Sequence, residues 1–239
     1  MIWADEFDGP AGQLPDPAKW AFDLGTGWGN AQLEYTTDRP TNVSLDGEGN
    51  LAIVARAEQY EGCAYTSGRI KTQARFSRVY GRFEARIKLP TGQGLWPAFW
   101  MLGADFETVG WPTCGEIDIM EYRGQEPNIV HGSLHGPGHA GGAAITGRFT
   151  RSGDGFDAGF HVFAIEWQTN TISWLVDDQV YQRRSPADLP SGARWVFDHP
   201  FFILLNLAVG GNFVGPPDAS TQFPQTMLVD WVRVYGIPN

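Results

Sequence analysis

Eight consecutive residues, Gly115-Glu116-Ile117-Asp118-Ile119-Met120-Glu121-Tyr122, set three carboxylates among apolar neighbours. Successive side chains of a strand take opposite faces, so Glu116 and Asp118 share one face while Ile117 and Ile119 share the other. Carboxylates held side by side in an apolar setting repel, and at least one pKa is raised. Strict alternation sends Glu121 to the wrong face, because it lies an odd number of positions from both partners. A β-bulge at Ile119-Met120 absorbs one residue and returns Glu121 to the acidic face; bulges are frequent beside active sites.

Glycoside hydrolysis needs such a pair, one carboxyl to attack or activate water and one to protonate the leaving oxygen. A separation of ~5–5.5 Å gives retention and a wider one inversion. Asp118, between them, is placed to hydrogen-bond the nucleophile. A strand whose acidic face merely meets solvent has no need of a bulge. Calcium ligands usually come from a loop that also offers backbone carbonyls, which makes this strand a poor calcium site.

His131, Ser133 and His135 follow at strand spacing and are expected to face the same cleft. Reading His131, His135 and His139 as a helical zinc cluster fails, since Gly132, Gly136, Pro137 and Gly138 break the helix. Sugar rings present apolar C–H faces that stack on aromatics, so Trp96, Trp100 and Trp111 are expected in the cleft. Trp167, Trp174 and Trp231 sit in regular strand patterns and are expected in the core. Asn30, after a Gly-Trp-Gly turn, and Arg69 suit either sugar binding or an ordinary turn and surface.

The elements that must position these residues are strands. Phe83, Ala85 and Ile87 alternate with charged residues, and Phe201 to Val209 is a continuous apolar run stopped by Gly210-Gly211. His161 to Gln168 and Thr171 to Val176 flank a two-residue turn, Thr169-Asn170, and Asp177-Asp178 turns the chain again. Met227 to Tyr235 forms a last strand. Helical periodicity is nearly absent and 30 Gly with 16 Pro disfavour long helices. An antiparallel β-sandwich over a single domain, residues 1–239, is expected.

Seventeen Lys and Arg against 27 Asp and Glu leave a net charge of −10 with no basic patch. That disfavours nucleic acid and anionic membrane surfaces as partners and suits a neutral polymer. No apolar run approaches the ~20 residues that span a bilayer. Met1 to Glu6 lacks the pattern of a signal peptide, so the expectation is a cytosolic protein or one whose leader is removed. Cys63 and Cys114 are the only cysteines, expected either as a disulfide or as buried thiols.

The acidic stretch resembles the Glu-x-Asp-x-(x)-Glu hallmark of glycoside hydrolase family 16, and Met120 is the extra residue of its laminarinase-like endo-β-1,3-glucanase branch. The likeness extends through Trp3 to Gly9, Gly27-Trp28-Gly29-Asn30, Thr66 to Ile70, Tyr80 to Leu102, Leu205 to Gly211 and Val229 to Tyr235. It implies a β-jelly-roll (concanavalin A-like) with a cleft on its concave sheet and a retaining double displacement. Glu116 matches the nucleophile, Glu121 the acid/base and Asp118 the assisting carboxylate; Asn30, Arg69, Trp96, Trp100, Trp111 and His135 match substrate-binding positions. It also implies a secreted monomer acting on β-1,3-glucan without a catalytic cofactor. A structural Ca²⁺ on the convex side is implied at Glu6, Gly47 and Asp230, with Asp46 and Asp218 as alternatives. Lichenase, agarase or a glucan-binding module of the same fold are the competing readings; the module predicts loss of a catalytic Glu, and both are present.

Overall fold

The apolar run Phe201–Val209 becomes a strand buried at all nine positions, because both of its faces are covered. One face packs into the main core, and the other carries Phe202, Leu204 and Asn206 into the floor of a cleft. The computed structural model describes residues 1–236. Its seven-stranded sheet runs Ile145–Thr150, Ile129–His135, Glu116–Tyr122, Leu95–Gly103, Phe201–Val209, Arg69–Lys71, Ala21–Phe22. All six pairings in that sheet are antiparallel.

A ten-stranded sheet packs behind it, centred on Gly81–Lys88 and Gln225–Tyr235. Phe83, Ala85 and Ile87 are fully buried, as their alternation requires. The hairpin from His161–Gln168 to Thr171–Val176 closes at Gln168↔Thr171, with Asn170 at φ 57°. Asp177 and Asp178 turn the chain at φ 47° and 63°, the left-handed pair of a tight hairpin. Among the described residues helix is confined to Phe106–Val109 and two short 3₁₀ turns. Among the described residues no helix is long and apolar enough to cross a membrane. The sandwich expected from the strand pattern is the architecture present. Both cysteines are free thiols, Cys114 buried and Cys63 partly so.

Two tryptophans follow expectation and one departs from it. Trp167 and Trp174 are fully buried. Trp231 lies half-exposed under the Arg233 guanidinium, 4.1 Å from its ring centre. The cause is a second bulge: the register of Gln225–Tyr235 shifts between Val229 and Trp231, so Val229, Val232 and Val234 go inward and Trp231 outward.

Candidate active site

The catalytic strand, Glu116–Tyr122, holds the bulge that its parity demands. Against Leu95–Gly103 the pairing runs Asp118↔Trp100 and then Met120↔Phe99, leaving Ile119 without a partner. Against Ile129–His135 it steps from Asp118↔Ser133 to Glu121↔His131. Ile117, Ile119, Met120 and Tyr122 therefore all enter the core, while Glu116, Asp118 and Glu121 line the cleft.

The opposite sheet anchors the irregularity. Trp174 donates its indole N–H to the main-chain carbonyl of Asp118 at 2.7 Å, at the residue where the ladder slips. Gly132, on the neighbouring strand opposite the bulge, leaves room for that ring. A Cβ there would lie 2.4 Å from Trp174 Cδ1 and 2.6 Å from the Tyr181 hydroxyl.

Each outer carboxylate accepts one indole hydrogen bond: Trp111 Nε1 to Glu116 Oε2 at 2.9 Å, and Trp96 Nε1 to Glu121 Oε1 at 3.1 Å. The neighbouring strand sets His135, Ser133 and His131 directly across from Glu116, Asp118 and Glu121. His135 Nε2 lies 3.0 Å from Asp118 Oδ2 and 3.7 Å from Glu116 Oε1. The amide of Gly141 donates to His135 Nδ1 at 3.1 Å, so the neutral ring carries its proton on Nε2, the nitrogen nearer the carboxylates, while Asp118 Oδ2 stays without a hydrogen-bond partner.

That tautomer bears on metal binding. Glu116, Asp118 and His135 are the one group among the described residues whose ligand atoms converge within 4.8 Å. A cation on Nε2 would move the ring proton to Nδ1, against the Gly141 N–H. The group fits a proton network rather than a metal centre.

Burial is the largest cause of every pKa shift here. It pushes Glu116 up to about 8, with the Asp118 and Glu121 charges adding and His135 opposing. Asp118 rises to about 7. Glu121 rises to about 8, with the Asp118 charge second. Three such groups cannot all be ionised near neutrality, so one proton is retained for delivery to a leaving oxygen. At pH 8 Asp118 is charged and its repulsion holds the proton on Glu121. Asp118→Asn removes that repulsion and lowers the Glu121 pKa. The alkaline limb of the pH profile of kcat/KM, expected near pH 8 in the unaltered enzyme, then moves to lower pH. An unmoved limb would show that Asp118 does not set the acid.

All nine catalytic and substrate-binding residues expected from the sequence line one cleft of ≈ 590 Å³. Asn30 takes the left-handed conformation, φ 53°, that its residue type tolerates. Trp96 is largely buried against Phe213, Ala208 and Val214, and Trp111 is 47% exposed at the opposite wall. Asp23, Trp28, Lys71 and Asn206 also line the cleft and escape the sequence reading. Asn206, a lone polar residue in an apolar run, and Lys71, two positions after Arg69, carried signals that could have found them. Asp23 carried none.

The residues expected to hold calcium are placed differently from the site's acids. Glu6 gives both carboxylate oxygens to Arg233, at 2.9 and 2.7 Å, and Asp230 pairs through Oδ2 with Arg86. The carboxylate-rich cage expected of Glu6 and Asp230 is thus replaced by two ion pairs. A cation here would rely on Asp230 Oδ1 and main-chain carbonyls, including that of Gly47.

Comparison with known proteins agrees with this geometry. The family model described as glycosyl hydrolases family 16 matches residues 23–233. A beta-glucanase of Rhodothermus marinus is 44% identical, covering 98% of this chain and 84% of the relative. A glucan endo-1,3-beta-glucosidase of Cryptopygus antarcticus is 41% identical over 98% of this chain and 90% of its own. The laminarinase catalytic domain of Thermotoga maritima superposes with a TM-score of 0.94 at 46% identity, covering 100% of this chain and 98% of that one. With a bulged acidic strand, a tryptophan-walled cleft and a family match over nearly the whole chain, this protein belongs to glycosyl hydrolase family 16.

Proposed function

We propose that the chain is an endo-acting, retaining β-1,3-glucanase that hydrolyses internal bonds of laminarin-like glucans. One observation carries the reading: the bulge brings Glu121 onto the face of Glu116, in a cleft walled by Trp96, Trp100 and Trp111. In the first half-reaction the Glu116 carboxylate attacks the anomeric carbon while Glu121 delivers its proton to the departing glycosidic oxygen. In the second, water attacks the glycosyl–Glu116 ester as Glu121 takes a proton from it, releasing a sugar of the original configuration. His135, whose Nε2 lies 3.7 Å from Glu116 Oε1, steadies the charge that returns to Glu116. No cofactor enters either step.

The natural polymer is too large to enter a cell, which supports the expectation of a secreted enzyme. The nine expected cleft residues all come from this chain, so the site needs no second copy, which supports a monomer; fractionation of the producing cells and a sedimentation measurement test these two points. A structural calcium bound through Asp230 Oδ1 and main-chain carbonyls belongs to the same proposal. It predicts a lower melting temperature in chelator, restored by added calcium, and an unchanged one removes it.

Product analysis on laminarin, curdlan, lichenan and agarose tests the main reading. Oligosaccharides of mixed length from laminarin and curdlan, with little or no release from agarose, are expected. Laminarin bound without release of reducing sugar would instead make the protein a glucan-binding module.

A further inference from the structure

Two strands at the far side of the cleft carry a charge cluster that catalysis does not use. Arg69 and Lys71 sit two positions apart on Arg69–Lys71, so both face the cleft. Asp23 follows the strand Ala21–Phe22, and its amide donates to the Arg69 carbonyl at 3.0 Å. Its carboxylate takes both cations, Arg69 Nε on Oδ2 at 2.8 Å and Lys71 Nζ on Oδ1 at 2.6 Å. Asp23 is only 8% exposed, so this bridge is largely shielded from water.

The Arg69 guanidinium also lies against two indole rings. Its carbon lies 4.7 Å from the centre of the Trp28 ring and 4.9 Å from that of Trp100. Neither ring is free to turn: Trp28 Nε1 donates to Thr36 Oγ1 at 3.1 Å and Trp100 Nε1 to Asn206 Oδ1 at 2.7 Å. Among the described residues the hydrogen bonding of Arg69 runs through Nε alone, which leaves both terminal nitrogens for a ligand. A planar fork between two fixed rings, set in a sugar-sized cleft, suits paired hydroxyls of a pyranose.

We infer that Asp23 is a positioning residue that builds a distal glucan subsite by fixing the Arg69 guanidinium between Trp28 and Trp100. The inference rests on the glucanase reading above. The Arg69 strand lies three strands from the catalytic one, roughly 14 Å backbone to backbone at ~4.8 Å per strand, with the guanidinium reaching back as far as the Trp100 ring. A sugar bound there is remote from the cleaved bond, so its binding energy is felt only by chains long enough to reach it. Asp23→Asn keeps the shape but leaves two neighbouring cations without a counter-charge, and Arg69 is then free to swing out of the stack.

Steady-state constants of Asp23→Asn and Asp23→Glu, on β-1,3-gluco-oligosaccharides of increasing length and on laminarin, test this. For Asp23→Asn, KM on laminarin is expected to rise on the order of tenfold. Its kcat, and both constants on the shortest cleaved oligosaccharide, stay within about twofold. Asp23→Glu, which restores the charge, recovers part of the loss. Loss by one factor at every chain length, or no loss, overturns the inference. Should Asp23→Asn fail to fold by circular dichroism, Arg69→Lys replaces it. That variant keeps the cation but loses the fork, so it must show the same length-dependent rise in KM; a uniform loss again overturns the inference. Failure of the unaltered protein to cut any of these glucans would strike down the glucanase reading, and this one with it.

Discussion

Deleting Met120 is expected to straighten the strand yet keep Glu121 in the cleft, because it removes the one extra residue that the bulge absorbs. With one residue fewer between Asp118 and Glu121, the strand regains strict alternation against Leu95–Gly103. Glu121, now two positions from Asp118, stays on the acidic face, and Ile119 takes the core place opposite Phe99 that Met120 holds. The core loses the buried Met120 side chain, so a stability cost of about 2–5 kcal/mol is expected, while activity falls far less than on loss of either glutamate. Replacing Met120 by Leu conserves volume and parity; that change is expected to cost under about 1.5 kcal/mol of stability and little activity. The comparison to make is kcat/KM on laminarin for both variants beside their melting curves. A folded deletion variant as inactive as one lacking Glu121 would show that the bulge itself, and not parity alone, places the acid. Trp174→Phe offers a milder probe. It keeps an aromatic ring but loses the N–H that holds the Asp118 carbonyl, and activity should fall while the fold persists.

The acids were legible in the sequence because strand alternation is a strict rule and Glu121 breaks it. A violated parity between two catalytic-type residues can be repaired in few ways, and the bulge is the least disruptive. The facing residues were legible for the same reason: His131, Ser133 and His135 keep strand spacing and pair across from the three acids. Parity misled at Trp231, where no chemistry demanded a bulge at Asp230 and none was expected. Contacts between the sheets were out of reach. Nothing in the local pattern around Trp174 points to the Asp118 carbonyl, 56 positions away. Asp23 was hidden likewise, since its meaning depends on Arg69 and Lys71, which only the pairing of Ala21–Phe22 with Arg69–Lys71 brings alongside. Glu6 was legible only by residue type, which suits calcium; its pairing of both side-chain oxygens with Arg233, 227 positions later, was not.

Replacing Glu116 by Ala should lower turnover of laminarin by at least about 10⁴-fold, and the residue's role can be read from what restores it. Both Glu116 and Glu121 are partly buried carboxyls holding an indole N–H, so inactivity of either variant alone would not tell nucleophile from acid. Azide separates them when the substrate is a β-glucoside with an activated leaving group that departs without a proton. In Glu116→Ala the vacated space admits azide on the nucleophile's side of the anomeric carbon. It attacks in place of the carboxylate and displaces the leaving group, giving an α-glycosyl azide. In Glu121→Ala the Glu116 carboxylate still attacks, because this leaving group needs no acid, but the ester then waits for a base that is missing. Azide needs no base; it attacks the ester carbon from the opposite side, and the product is a β-glycosyl azide. The anomeric proton coupling in the NMR spectrum distinguishes the two products. An α product from Glu116→Ala and a β product from Glu121→Ala assign the roles as the bulged strand places them, and the reverse outcome exchanges them. The position of the two indoles makes the test clean: Trp111 and Trp96 remain to hold each emptied space open beside the sugar.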